Sequence, residues 1–178
     1  MVRTSVRKSN STGENLCDAW HNPNAMVGLD VTDILRAADI HVGFRAASVV
    51  DAIPLLLRPA LVRRNIDARI VEDVVSAAVR REQDTSTRCG PLGLPHTRSA
   101  AVNDFVIALG ANADGVIDGE PQPRVMFAFV SPENRREQHL QLLAALARLS
   151  QNEWIVEKIA SASTAEQVID ALRAAAPA

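Results

Sequence analysis

The sequence predicts an α/β fold: a central sheet with helices packed on both faces. Three observations carry that reading. Phe105–Leu109 and Val125–Val130 are continuous apolar runs of strand length, the pattern of central strands buried on both sides. Apolar stripes at helical spacing lie on either side of them in the chain, at Ile70, Val71, Val74, Val75 and Ala78 and again at Leu142, Leu143, Leu146 and Leu149. Helical and extended segments alternate, which places the chain in the α/β class.

The elements follow in order. Residues 1–28 are polar and aperiodic and are expected to be a disordered or loosely attached leader, with the ordered domain spanning 29–178. Residues 31–38 read as a short helix with Ile34, Leu35 and Ala38 on its apolar side, followed by a short extended or turning stretch from His41 to Ser48. Ser48 with Asp51 forms a weak capping box for the next helix. Pro54 falls in its first turns, where proline is tolerated, but Pro59 predicts a kink or break. A further helix is expected over 68–82. Arg81 extends its stripe of Val71, Val74 and Ala78 and stands at the C-terminus, where the helix dipole favours a cation. Asp118-Gly119 marks a turn between the two strands. Pro132 and Glu133 are expected to open a helix that runs to about Ser150. Trp154, Ile155 and Ile159 belong to another. Ser163 or Thr164 caps a last one that buries Val168, Ile169 and Leu172.

Composition removes several function classes. A chain of 178 residues with 47% apolar and 22% charged residues suits one soluble domain. A net charge of −2 gives no general attraction to nucleic acid or anionic membrane. The positive charge is almost all arginine, the lysines being Lys8 and Lys158, a compositional bias without a patch. No apolar run approaches the ~20 residues of a membrane span, and Arg3, Arg7 and Lys8 lack the apolar segment that would complete a secretory signal. Cys17 and Cys89 form no CxxC pair. A disulfide between them stays open, but a reduced, cytoplasmic setting is the simpler expectation. There is no phosphate loop of the GxxxxGK[ST] type, no GxGxxG, no HExxH and no GxSxG elbow, so a nucleotide kinase, zinc hydrolase or α/β-hydrolase is not supported.

What remains is a set of histidines: His21, His41, His96 and His139. His96 ends the stretch Gly90-Pro91-Leu92-Gly93-Leu94-Pro95-His96, and Pro95 restricts the chain just before it. Such a histidine is expected to be an exposed, oriented loop-end nucleophile, mostly neutral near pH 7. Taken alone, a loop histidine without a role fits the same residues. His139 shares a helix face with Leu142, Leu143 and Leu146, as a packed histidine also would. Arg135 and Arg136, one turn earlier, either add positive charge or simply solvate the surface.

The ordered set Arg81-Glu82, Ser86-Thr87, the glycines and Leu94-Pro95-His96 resembles the signature of phosphotransferase system enzyme IIA domains of the fructose/mannitol/nitrogen-regulatory class. The downstream series Asp118-Gly119-Glu120-Pro121, Val130-Ser131-Pro132 and His139-Leu140 is similar to the same family, and the resemblance covers roughly residues 30–175. It implies a compact α/β sandwich with a central mixed β-sheet and helices on both faces. It also implies a protein-histidine phosphocarrier. In that scheme His96 accepts a phosphoryl group from HPr or a nitrogen-branch HPr-like protein, and passes it to a cysteine of a sugar-specific enzyme IIB. His139 and Arg81 assist at the phosphate, Ser86 or Thr87 can add a hydroxyl contact, and Arg88, which replaces a family glycine, can add a phosphate contact the family pattern lacks. The alternatives are a nitrogen-branch regulatory module that binds target proteins according to its phosphorylation state, and a binding-only descendant. No metal or cofactor is required, because the donor is already a phosphohistidine. Peripheral contact with a membrane transporter is compatible with this scheme. The family's loop usually reads close to Ser-Thr-Gly-Ile-Gly-x-Gly-Ile-Ala-Ile-Pro-His. Here it is one residue shorter, Arg88 replaces a glycine, and Pro91 enters.

Overall fold

A computed structural model describes residues 30–175. The leader assigned to 1–28, with Cys17 and His21, lies outside the described residues. The elements are α1 (Val31–Ile34), a 3₁₀ turn (Ala37–Asp39), β1 (Ile40–Val42), α2 (Val49–Val62), α3 (Ala68–Asp84), β2 (Arg88–Cys89), β3 (Leu92–Gly93), β4 (His96–Ser99), β5 (Val106–Ala111), β6 (Val125–Pro132), α4 (Arg136–Ser150), α5 (Glu153–Ala160) and α6 (Ala165–Ala175).

The sheet is mixed. Its order is β1-β5-β6-β3-β2, with β4 also on β6. β5 and β6 run antiparallel, whereas β1 on β5 and β3 and β4 on β6 are parallel. The two apolar runs of the sequence are the central pair, and every residue of both is buried. Alternate residues of β6 serve opposite cores. Val125, Phe127 and Phe129 pack with α4, α5 and α6. Met126, Ala128 and Val130 pack with α2 and α3. The period-two reversal of side chains in a strand is what lets one apolar run hold two helical layers.

Several boundaries differ from those expected. The 31–38 helix stops at Ile34, because Leu35 and Arg36 are extended before the 3₁₀ turn. Pro59 does not break α2, which runs from Val49 to Val62 capped by Ser48. The carbonyl that loses its partner to Pro59 belongs to Leu55, a residue 52% exposed, so water can satisfy it. Buried Ala52, Ile53, Leu56, Leu57, Ala60 and Leu61 hold the helix on the sheet throughout. α4 begins at Arg136 and not at Pro132, because Pro132 is the last residue of β6 and pairs with Ser99. Thr164, not Ser163, supports the start of α6, its Oγ1 accepting from Gln167 N at 3.3 Å.

β3 and β4 lie end to end along β6, in one register: Gly93 opposite Met126, then His96 opposite Phe129. Pro95 interrupts the line, having no N–H to give, although its carbonyl still accepts from Phe129 N at 3.1 Å. Ahead of the break, residues 87–94 close on themselves. β2 and β3 pair antiparallel, and Leu94 N donates to Thr87 O at 3.1 Å. Gly90 takes the corner at φ +54°, a conformation that favours glycine, with Pro91 next to it. The loop that departs from the family pattern is therefore a tight hairpin.

Candidate active site

Three elements converge on one cleft of about 340 Å³, lined by Arg81, His96, Arg98, Arg136, His139, Leu140 and Leu143. His96 and Arg98 come from β4, two residues apart and so on one face of the strand. Opposite them on β6 stand Phe129 and Ser131. Arg136, His139, Leu140 and Leu143 are spaced to share one face of α4. Arg81 reaches in from the last turn of α3, which packs on the edge strand β4.

His96 is not the exposed loop end expected from the sequence. It is the first residue of a strand and only 2% exposed. A polar His-Thr-Arg-Ser run has no apolar alternation to announce a strand; its pairing with β6 makes it one. The ring stacks on Phe129, centroids 5.0 Å apart and planes at 11°. Its Nδ1 lies 2.7 Å from the Leu94 carbonyl oxygen. A carbonyl can only accept, so Nδ1 carries the proton and Nε2 of the neutral ring holds the free lone pair. Arg81 Nε donates to that Nε2 at 3.2 Å, as this assignment requires.

His139 is 6% exposed, its ring 5.2 Å from that of His96 and 5.8 Å from Phe129. Its Nδ1 is 2.7 Å from Ser131 Oγ, so Nε2 is the nitrogen left for a ligand. Burial pushes the pKa of His96 down to about 4; the nearby Arg81 and His139 push the same way, against the Leu94 hydrogen bond. Burial, then Arg98 and Arg81, lowers His139 to about 4 as well. Both rings are therefore neutral at physiological pH, and the fixed positive charge of the cleft is carried by arginine. Among the described residues, none of Arg81, Arg98 and Arg136 is salt-bridged. The cleft thus offers unneutralised cations to an anionic group.

A pH dependence of stability follows. Unfolded histidine titrates near 6.5, whereas these two titrate lower in the folded chain. Below pH 6.5 the unfolded chain binds protons that the folded one refuses, so stability falls as pH drops and levels off near pH 4. His96 alone is expected to cost up to about 3 kcal/mol across that window. Urea unfolding at pH 7 and pH 4.5 measures it, and His96→Gln should reduce the difference; an unchanged difference would refute the burial argument.

Of the residues expected from the sequence, the structure brings Arg81, His96 and His139 together. It does not bring Ser86, Thr87 or Arg88 into the cleft lining. Ser86 is exposed. Thr87 is buried and donates its Oγ1–H to Glu82 at 2.5 Å. Arg88 points off the outer side of the hairpin, pairing with Glu120 at 3.0 Å and with the Gln122 carbonyl. Arg98 was not among the expected site residues, and Arg136 was weighed with Arg135 only as either added positive charge or surface solvation; the structure places Arg136 in the cleft lining. Their signal was spacing alone, two residues after His96 on a strand and three before His139 on a helix.

The architecture is that of an enzyme IIA domain. The nitrogen regulatory protein IIA-Ntr from Neisseria meningitidis superposes with a TM-score of 0.68 at 25% identity, covering 80% of this chain and 98% of that one. Enzyme IIA mannitol of Escherichia coli, in its complex with phosphorylated enzyme IIB mannitol, shares the fold at a TM-score of 0.63 and 21% identity, over 79% and 97% of the two chains. The chain belongs to the family of the phosphoenolpyruvate-dependent sugar phosphotransferase system EIIA 2, whose model matches residues 33–175. It is 30% identical over 152 residues to the fructose-specific EIIA component of Haloferax volcanii, covering 81% of this chain and 97% of that relative. The protein is a phosphocarrier component of the phosphotransferase class.

Proposed function

We propose that the phosphoryl group is carried on Nε2 of His96, arriving from an HPr-type phosphohistidine donor and leaving to an enzyme IIB. One observation supports this above all: Leu94 holds the Nδ1 proton while the Nε2 lone pair faces an arginine-lined cleft. In the first step Nε2 attacks phosphorus, the donor N–P bond breaks, and its electron pair returns to the donor imidazole. The His96 ring gains positive charge as the new N–P bond forms, and the Nδ1–H···O bond to Leu94 strengthens with it. In the second step a cysteine thiolate of enzyme IIB attacks the same phosphorus and the pair returns to Nε2. No proton has to move at His96 in either direction. Arg81, which holds the lone pair at rest, transfers its hydrogen bond to the phosphate oxygens, and His139 supplies a second donor through Nε2. Among the described residues no helix is long and apolar enough to cross a membrane, and a cytoplasmic carrier shuttling between protein partners fits that reading.

The test is incubation with phosphorylated HPr, detection of acid-labile phosphate, and mapping of the labelled peptide to His96. Arg81→Ala is expected to slow uptake about 10- to 100-fold, the worth of a charge-assisted hydrogen bond. Arg81→Lys, which keeps the charge but loses the fork, should fall between. His139→Ala should slow transfer while the label stays on His96. Label on His139 in the unmodified protein would reverse these roles.

A further inference from the structure

We infer that Glu82 is a positioning residue that fixes the reactive tautomer of His96; the inference rests on His96 being the carrier. Its carboxylate accepts from Thr87 N with both oxygens, at 3.1 and 3.2 Å, and from Thr87 Oγ1 at 2.5 Å. The Thr87 carbonyl accepts from Leu94 N at 3.1 Å. The Leu94 carbonyl in turn accepts from His96 Nδ1 at 2.7 Å. Hydrogen bonds joined through the Thr87 and Leu94 backbone thus link α3 to the ring nitrogen that must keep its proton. The neighbouring residue on the same helix, Arg81, meets the other ring nitrogen. Consecutive helix residues diverge by about 100°, so one helix end grips the imidazole from both sides.

The placement of Glu82 is costly unless it serves position. The residue is 7% exposed and sits in the last turn of α3, where the helix dipole disfavours an anion. No guanidinium pairs with it among the described residues. A buried carboxylate without a cation is tolerated only when hydrogen bonds satisfy it, and all of those shown come from Thr87. A neutral residue would brace the helix end without the desolvation cost. A carboxylate is the group that can accept both the N–H and the hydroxyl of one residue, and so hold the Thr87–Leu94 rung at a fixed height. Pro95 makes that rung necessary. It breaks the β3–β4 line just where Leu94 must aim its carbonyl, so the aim comes from the hairpin side.

Two readouts on the full chain test this: the His96 tautomer in ¹⁵N-histidine-labelled protein, which needs no phosphoryl donor, and the rate of phosphorylation by phosphorylated HPr. Ring nitrogen shifts separate the protonated from the bare nitrogen. At pH 7 the unmodified protein should show His96 with Nδ1 protonated and Nε2 bare. Glu82→Ala should bring in the second His96 tautomer, leave the His139 shifts in place, and slow phosphorylation by phosphorylated HPr about tenfold or more in kcat with KM little moved. Glu82→Gln keeps one carbonyl for Thr87 N–H and should give a partial tautomer change and a loss of roughly threefold. If Glu82→Ala does not fold, Glu82→Gln decides on the same two readouts. Wild-type shifts and rate in a folded variant, with only its melting temperature lowered, would overturn the inference and make Glu82 a plain brace. A tautomer change with no labelling of any variant, wild type included, would sink the carrier reading and leave the positioning role standing.

Discussion

Replacing His96 with glutamine is expected to abolish phosphoryl uptake and to leave the fold intact. The side chain is 2% exposed and wedged against Phe129, so its replacement must be planar and must keep a donor for Leu94 O. Glutamine supplies both through its amide. It does not supply a nucleophile, because the amide nitrogen lone pair is delocalised into the carbonyl and cannot attack phosphorus. Uptake from phosphorylated HPr should fall to the level of a protein with no acceptor, not to a residual fraction. His139 should not substitute, since in the proposed scheme its Nε2 carries the ring proton and donates, and it is set on a helix across the cleft. Acid-labile phosphate at the normal level in a folded His96→Gln protein would sink the proposed function.

Phe129→Ala should produce the largest loss of stability near the site, about 3–5 kcal/mol. That is a large share of the 5–15 kcal/mol typical of a domain. Phe129 is fully buried and lies between Ile107 on β5 and His96 on β4 in the ladder. Its ring is the wall on which His96 stacks and against which His139 tilts. Truncation opens a cavity in the α4 layer and frees both imidazoles. Urea unfolding should report the stability loss. Phe129→Leu, which keeps most of the volume but not the flat face, should cost about 1.5 kcal/mol or less. It should nevertheless slow transfer, which separates support of the ring from mere filling. Equal transfer rates in Phe129→Leu and wild type would show that stacking does not orient His96.

The central strands and the long helices were legible because their signal is local. Val125–Val130 is apolar at every position, and α3 repeats its stripe along the whole helix. The strands that deliver the site were not legible. β2 and β3 are two residues each and β4 is four, too short for a period to register. Their existence depends on β6, which arrives later in the chain. His96 was legible as chemistry but not as environment: Pro-His reads as a loop until β6 pairs with it. Thr87 and Arg88 drew notice because hydroxyls and guanidinia bind phosphate. Their actual partners, Glu82 and Glu120, are fixed by the direction in which the hairpin folds. Sequence spacing does not encode that direction. Arg98 needed only the knowledge that its segment is a strand.

The hairpin ahead of His96 separates what is free to vary from what is not. Beyond the Thr87–Leu94 rung, Cys89 and Leu92 are buried in the core and β3 pairs with β6, which leaves an exposed tip at Gly90, with Arg88 held on the outer side by Glu120. Residues can be lost or exchanged in that tip while Leu94, Pro95 and His96 keep their seats along β6. Glycines in the longer form of the segment are one way to turn this corner, and a Gly-Pro corner is another. Deletions and substitutions confined to the tip are absorbed like slack in a loop of rope beyond a knot. The Gly90-Pro91 corner, part of the deviation from the family pattern, therefore falls at the turn of the hairpin, outside the cleft lining.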